Sequence, residues 1–136
     1  MSDQELVKLA FEARKRSYSP YSKFKVGAAL LAKNGQVYTG CNIESASYTP
    51  TNCAERTAFF KAVSEGVTEF EAIAIVGAFE GGHVDLCYPC GVCRQVMAEF
   101  CNSEFRIIMA DENEHTHICS LDELLPHRFG PSNLSQ

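Results

Sequence analysis

The sequence predicts an α/β protein in which one sheet carries helices on both faces. Stretches with helical apolar periodicity alternate with short apolar, β-branched runs of the kind that strands buried between layers require. The length of 136 residues, with 46% hydrophobic and 21% charged residues, fits one globular domain over residues 1–136. That composition excludes a disordered or fibrous chain and is enough for a core without disulfide staples.

Leu6, Val7, Ala10, Phe11 and Ala13 recur at helical spacing, so a first helix is expected from Asp3 to about Ser17, broken by Tyr18-Ser19-Pro20-Tyr21. Val26 to Ala32 and Val37 to Cys41 read as strands joined at Asn34-Gly35, a strong hairpin turn. Residues 42–52, with Pro50 and several Ser, Thr and Asn, read as loop. Cys53 to Glu65 carries the stripe Ala54, Thr57, Ala58, Phe59, Ala62 and Val63 and is stopped by Gly66, a second helix. Ile73 to Val76 is a buried strand, Gly77 to Pro89 a loop, and Cys90 to Cys101 a third helix through Val92, Val96, Met97 and Phe100. Arg106 to Ala110 is a further buried strand, and His117 to Cys119 an edge strand after a polar turn at 111–114. Ser120 with Glu123 forms a capping box for a last short helix ending before Pro126. There is no internal repeat, and neither GxGxxG nor GxxxxGK[ST] occurs, so dinucleotide and P-loop readings lack their warrant.

Seven cysteines cannot all pair within one chain. The start, Met1-Ser2-Asp3-Gln4-Glu5, lacks a signal peptide's pattern, and no apolar run approaches the ~18 residues of a membrane span. A reduced, cytoplasmic protein is expected, with thiols serving as ligands, nucleophiles or core filler. The net charge is −5, divided as +3 over residues 1–68 (nine basic, six acidic) and −8 over residues 69–136 (three basic, eleven acidic). A net-acidic chain is repelled by polyanions, so the expected partner is a small molecule, neither nucleic acid nor membrane.

Two segments carry chemistry: Cys53-Ala54-Glu55-Arg56 opening one helix and Pro89-Cys90-Gly91-Val92-Cys93-Arg94-Gln95 opening another. Residues three apart on a helix lie about 60° apart around its axis, so Cys90 and Cys93 share a face. With Cys53 as a third thiolate they give three protein ligands and an open fourth position, the layout of a catalytic zinc site. Glu55, in the first turn, reaches back toward such a metal and can move a proton between an activated water and a leaving nitrogen. Three duller readings compete: buried apolar cysteines, an iron–sulfur cluster, and a closed structural zinc in which Cys87 is the fourth ligand. Cys41, Cys101 and Cys119 are expected in the core, and His83, His115, His117 and His127 on the surface or in loops.

Phe24-Lys25-Val26-Gly27-Ala28-Ala29, Cys41-Asn42-Ile43-Glu44-Ser45-Ala46-Ser47-Tyr48, Cys53-Ala54-Glu55-Arg56-Thr57-Ala58 and the Pro89–Gln95 block together resemble the small homotetrameric cytidine deaminases, from about Tyr18 to Phe129. The resemblance implies a three-layer α/β/α sandwich with a mixed five-stranded sheet. It implies one Zn²⁺ per subunit on Cys53, Cys90 and Cys93, with zinc hydroxide attacking C4 of cytidine or 2′-deoxycytidine, Glu55 shuttling protons and ammonia leaving, in pyrimidine salvage. It further implies Asn42 and Glu44 on the ribose, Phe24 against the pyrimidine, the Ala54 backbone near the base carbonyl, and Ala46, Tyr48 and Phe129 completing the pockets of neighbouring subunits in a homotetramer. Tyr88, Val92 and Ser45 depart from the usual pattern, Tyr88 at the rim of the pocket.

Zinc with three thiolates carries a net −1, which works against ionising a bound water. Arg56 is expected to offset this together with two helix N-termini of roughly +0.5 each, with Arg94 as a weaker candidate. Against the deaminase stand a deaminase for another cytosine-bearing compound, such as a nucleoside antibiotic, and a non-catalytic zinc-stabilised module.

Overall fold

Along the chain, α1 (Asp3–Arg14) precedes β1 (Phe24–Ala32), β2 (Val37–Cys41), α2 (Ala54–Ser64), β3 (Phe70–Phe79), α3 (Gly91–Phe100), β4 (Arg106–Ala110), β5 (Thr116–Ser120) and the one-turn α4 (Leu121–Leu124). This is the computed structural model of the chain, and it describes residues 1–135. The five strands form one sheet in the order β2-β1-β3-β4-β5. β1 runs antiparallel to both β2 and β3, β3 and β4 are parallel, and β5 returns antiparallel to β4. A parallel pair needs a crossover. Here α3 supplies it, which places the start of α3 at the end of β3.

Alternation along β3 divides the core. Ile73 and Ile75 join Leu30, Ile107, Met109, Phe59 and Met97 on the face covered by α2 and α3. Ala72, Ala74 and Val76 join Ala29, Leu31, Ile108, Leu6 and Ala10 under α1. The sheet is therefore the middle of three layers. Phe59, with no exposed surface, anchors the first face edge-on to Phe70 at 5.0 Å. Truncating such a ring to alanine costs about 3–5 kcal/mol.

The order of elements agrees with the sequence reading, and the differences lie at the ends. α1 stops at Arg14, because the amides of Lys15, Arg16 and Ser17 reach back only three residues, to the carbonyls of Glu12, Ala13 and Arg14. β3 is ten residues long instead of four. Its small members Gly77 and Ala78 are poor strand formers, yet β1 supplies them partners at Val26 and Lys25. Cys119 is buried as expected, whereas Cys41 and Cys101 are half-buried, and all four histidines are exposed.

Candidate active site

α2 and α3 begin side by side on one face of the sheet, each with a cysteine as the residue just before its first turn: Cys53 for α2 and Cys90 for α3. Neither thiol makes a capping hydrogen bond. By contrast α1 and α4 both open with complete capping boxes, Ser2 with Glu5 and Ser120 with Glu123. The cap thiols are thus free to face each other. Cys53 Sγ and Cys90 Sγ lie 3.7 Å apart, Cys90 Sγ and Cys93 Sγ 3.6 Å, and all three sulfurs fall within 4.8 Å of one another.

A tetrahedral zinc with Zn–S arms of ~2.3 Å spaces its sulfurs about 3.8 Å apart, so the triangle has the dimensions that the metal requires. A disulfide would need ~2.05 Å. Cys87 is outside the cluster. Its sulfur packs against Gly77 on β3, and burial pushes its thiol up to about 11. A closed four-cysteine site is therefore not what these side chains form, and a fourth position stays available.

The seat of α2 depends on Gly40 in β2, where a Cβ would fall 2.5 Å from the Ala54 carbonyl oxygen and 2.6 Å from the Ala58 nitrogen. Only glycine lets the first turn of α2 lie this close to the strand.

Glu55, in that first turn, is 4% exposed, and burial pushes its carboxyl up to about 7. A carboxyl with that affinity gains and loses protons near neutrality, as a proton shuttle must. Arg56 Nη2 donates to Cys53 Sγ at 3.3 Å. Its Nε is buried with no hydrogen-bond partner among the described residues, a donor awaiting an acceptor such as an ionised thiolate. Hydrogen bonding from Cys93 lowers the Cys53 thiol to about 5 against the opposing effect of burial, with Arg56 assisting, and Cys93, as donor, is pushed up. Arg94 does something else: its Nε donates to the Pro89 carbonyl at 2.8 Å and its Nη1 to the Leu124 carbonyl at 2.7 Å, away from the sulfurs.

Asn42 and Glu44 follow β2. Asn42 is buried, its Oδ1 accepting from Val26 N at 2.9 Å and from Ser17 Oγ while its Nδ2 donates to the Phe24 carbonyl at 2.7 Å. Far from a mere turn residue, it ties the chain after β2 to the start of β1. Glu44 accepts from the amides of Tyr21 and Ser22 at 3.0 and 3.1 Å and from Ser22 Oγ, and the Ser22 hydroxyl bond leads in holding it below the usual carboxylate range. Sequence reasoning missed Ser17, Ser22 and Gly40 as supports of these groups.

Phe24 opens β1, half-buried, its ring edge-on to Phe79 at 5.0 Å. Ala54 is fully buried at the start of α2. Ala46, Tyr48 and Phe129 are exposed, the last two by 74% and 59%, and Tyr48 has φ of 63°. Tyr48 and Glu44 share a hollow of about 420 Å³ with Tyr21, Ser22, Ser45 and Thr51. A larger hollow of about 560 Å³, at the C-terminal end of α3, includes none of these site residues.

Residues 1–109 match the family profile described as the cytidine and deoxycytidylate deaminase zinc-binding region. The chain is 48% identical over 135 residues to a cytidine deaminase of Sporosarcina psychrophila, covering 99% of this chain and 96% of that one. It is 46% identical over 135 residues to a cytidine deaminase of Halalkalibacterium halodurans, covering 99% of both. Among solved structures, a cytidine deaminase from Burkholderia pseudomallei superposes with a TM-score of 0.87 at 43% identity, covering 95% of this chain and all of that one.

Proposed function

Since the chain belongs to the cytidine and deoxycytidylate deaminase family, we propose that it hydrolyses cytidine and 2′-deoxycytidine to uridine and 2′-deoxyuridine, one water entering and one ammonia leaving. The observation that carries this reading is the sulfur triangle of Cys53, Cys90 and Cys93 with the buried Glu55 beside it. The soft thiolates, their tetrahedral spacing and the orphaned Arg56 Nε all suit Zn²⁺, one per subunit. Zinc, when bound there, supplies a Lewis acid that makes water nucleophilic near neutral pH.

The chain's own residues do the rest. Glu55 receives the proton of the attacking water and returns it to the amino nitrogen leaving C4. Arg56 and the two helix N-termini offset the negative charge of the thiolates. Phe24 lies against the pyrimidine and the Ala54 backbone meets its carbonyl. Asn42 and Glu44 take the sugar hydroxyls. The Glu44 carboxylate, kept ionised by Ser22, favours a neutral nucleoside over one bearing a phosphate at that end.

Ala46, Tyr48 and Phe129, exposed on the single chain, are read as contributions to the pockets of neighbouring copies in a homotetramer. All seven cysteines are free, which suits a reducing cytoplasm and a role in pyrimidine salvage. Among the described residues no helix is long and apolar enough to cross a membrane.

The test is loss of the ~280 nm cytidine band, with zinc content measured in parallel. Wild-type protein should convert both nucleosides. Glu55→Ala should keep its zinc and lose about 10²–10⁴ in kcat, the range for a positioned acid–base group. A zinc-loaded wild type inert toward both nucleosides defeats the reading and leaves another cytosine-bearing substrate or a structural zinc module.

A further inference from the structure

Residues 85–89 lead into Cys90, and among the described residues none of them makes a hydrogen bond from main chain to main chain. Metal sites hold their ligand distances to within about 0.2 Å. Cys90 is tied to α3 on its far side, its carbonyl accepting from Arg94 N at 3.0 Å, so the segment that enters it is held by side chains. Cys87 Sγ lies 2.9 Å from the point that a Cβ on Gly77 would occupy, keyed into the space which glycine leaves on β3. The Pro89 carbonyl is held by Arg94, which also grips Leu124 at the end of α4. Between these, the Tyr88 hydroxyl meets His117 Nδ1 at 2.7 Å, the rings edge-on at 5.9 Å and 79°.

His117 belongs to β5, the edge strand farthest from β2, and its Nε2 lies 3.6 Å from Cys119 Sγ. Tyr88 is thus turned toward the β5 edge of the sheet, while Phe24, Asn42 and Glu44 lie toward the β1–β2 side. Tyr88, 43% exposed and two residues from Cys90, is held there by a contact with the scaffold. Of the three clustered cysteines, Cys90 is exposed, Cys53 half-buried and Cys93 buried, so Cys90 is the ligand most open to detachment.

We propose that Tyr88 and His117 form a positioning strut that ties the segment entering Cys90 to the edge of the sheet and slows release of zinc from Cys53, Cys90 and Cys93. The proposal rests on the zinc reading of the cluster. A strut of this kind acts on the lifetime of the metal complex, and it leaves the reacting atoms untouched.

The experiment follows zinc transfer from the intact, zinc-loaded protein to excess 4-(2-pyridylazo)resorcinol, with Tm recorded for every variant. Tyr88→Phe and His117→Phe should each release zinc about fivefold faster, the factor expected for one hydrogen bond. The double variant should be no faster than either single, since the two residues act as one unit. His117→Gln, whose amide can still meet the phenol, should restore the slow rate. Wild-type release rates in both single variants overturn the strut while leaving the zinc reading intact, as do effects that multiply in the double variant or a lowered Tm without faster release. A wild-type protein that takes up no zinc at loading overturns both.

Discussion

Gly40→Ala tests whether the geometry of the metal cluster is set from the sheet. The added Cβ would stand 2.5 Å from the Ala54 carbonyl oxygen, 2.6 Å from the Ala58 nitrogen and 3.0 Å from Thr57 Cβ. Two of these are backbone atoms that no rotamer change can move. Restoring an ordinary contact of about 3.4 Å requires the first turn of α2 to retreat by about 0.9 Å (3.4 − 2.5). Cys53 and Glu55 travel with that turn, whereas Cys90 and Cys93 belong to α3.

Cys53 would then shift by about 0.9 Å relative to Cys90, widening their 3.7 Å gap to at most about 4.6 Å and turning the Cys53 sulfur out of the ~3.8 Å zinc tetrahedron. Overpacking of this kind costs about 1–3 kcal/mol, or roughly 4–12 °C in Tm for a chain of this size. A misplacement approaching 1 Å costs about 10²-fold in rate. Calorimetry, zinc competition against a chelator and deamination at saturating zinc should show all three losses together. The sign discriminates sharply: Gly40 does not have a positive φ, so without the clash alanine would stabilise the protein by roughly 0.4–1 kcal/mol. An alanine variant with unchanged or higher Tm and wild-type zinc affinity refutes the reasoning.

Two further outcomes are expected. Arg56→Gln removes the guanidinium 3.3 Å from Cys53 Sγ and leaves the centre more negative, so the ionisation that switches activity on becomes harder. The acidic limb of the pH–activity profile should move to higher pH, and an unmoved limb in a zinc-loaded variant contradicts that role. Remote from the site, Glu112 Oε1 lies 2.7 Å from His83 Nδ1, and this hydrogen bond raises the histidine pKa while lowering that of Glu112. The contact favours the protonated ring and the ionised carboxylate, so it is fully present between the ordinary carboxylate and histidine pKa values of ~4.3 and ~6.5, lost as pH climbs through the raised histidine value and lost again as pH falls through the lowered Glu112 value. In an NMR titration His83 should titrate above ~6.5, and Glu112→Gln should bring it back; a midpoint that ignores the substitution refutes the pairing.

What could be read from the residues was whatever a short window encodes. Asn34-Gly35 announces the β1–β2 hairpin, Ser120 with Glu123 announces α4, and the spacing of Cys90 and Cys93 announces a shared helix face. The supports were not legible, because they link residues distant in sequence. Asn42 works through Val26 and Phe24, sixteen and eighteen positions away, and Ser17, twenty-five away, has no local mark of that role. The extent of β3 was hidden for a related reason. Gly77 and Ala78 weaken a strand considered alone, and only its place between β1 and β4 makes them part of one. In the sequence Gly40 is one more residue of a strand and Gly77 opens a loop. In the fold these are the points where a helix and a thiol approach the sheet.

The unequal treatment of the four helix starts has a consequence for anyone who would stabilise this protein. A proper cap is worth about 1 kcal/mol, and the chain installs one wherever chemistry is not at stake, at Ser2 and Ser120. At Cys53 and Cys90 it forgoes both. Serine or aspartate at those positions is the substitution that cap preference alone would favour. It would add a cap to the metal-free chain, yet under the zinc reading it would remove a ligand and with it the stability that the bound metal lends, so these helix starts exchange a local cap for a cofactor-dependent one.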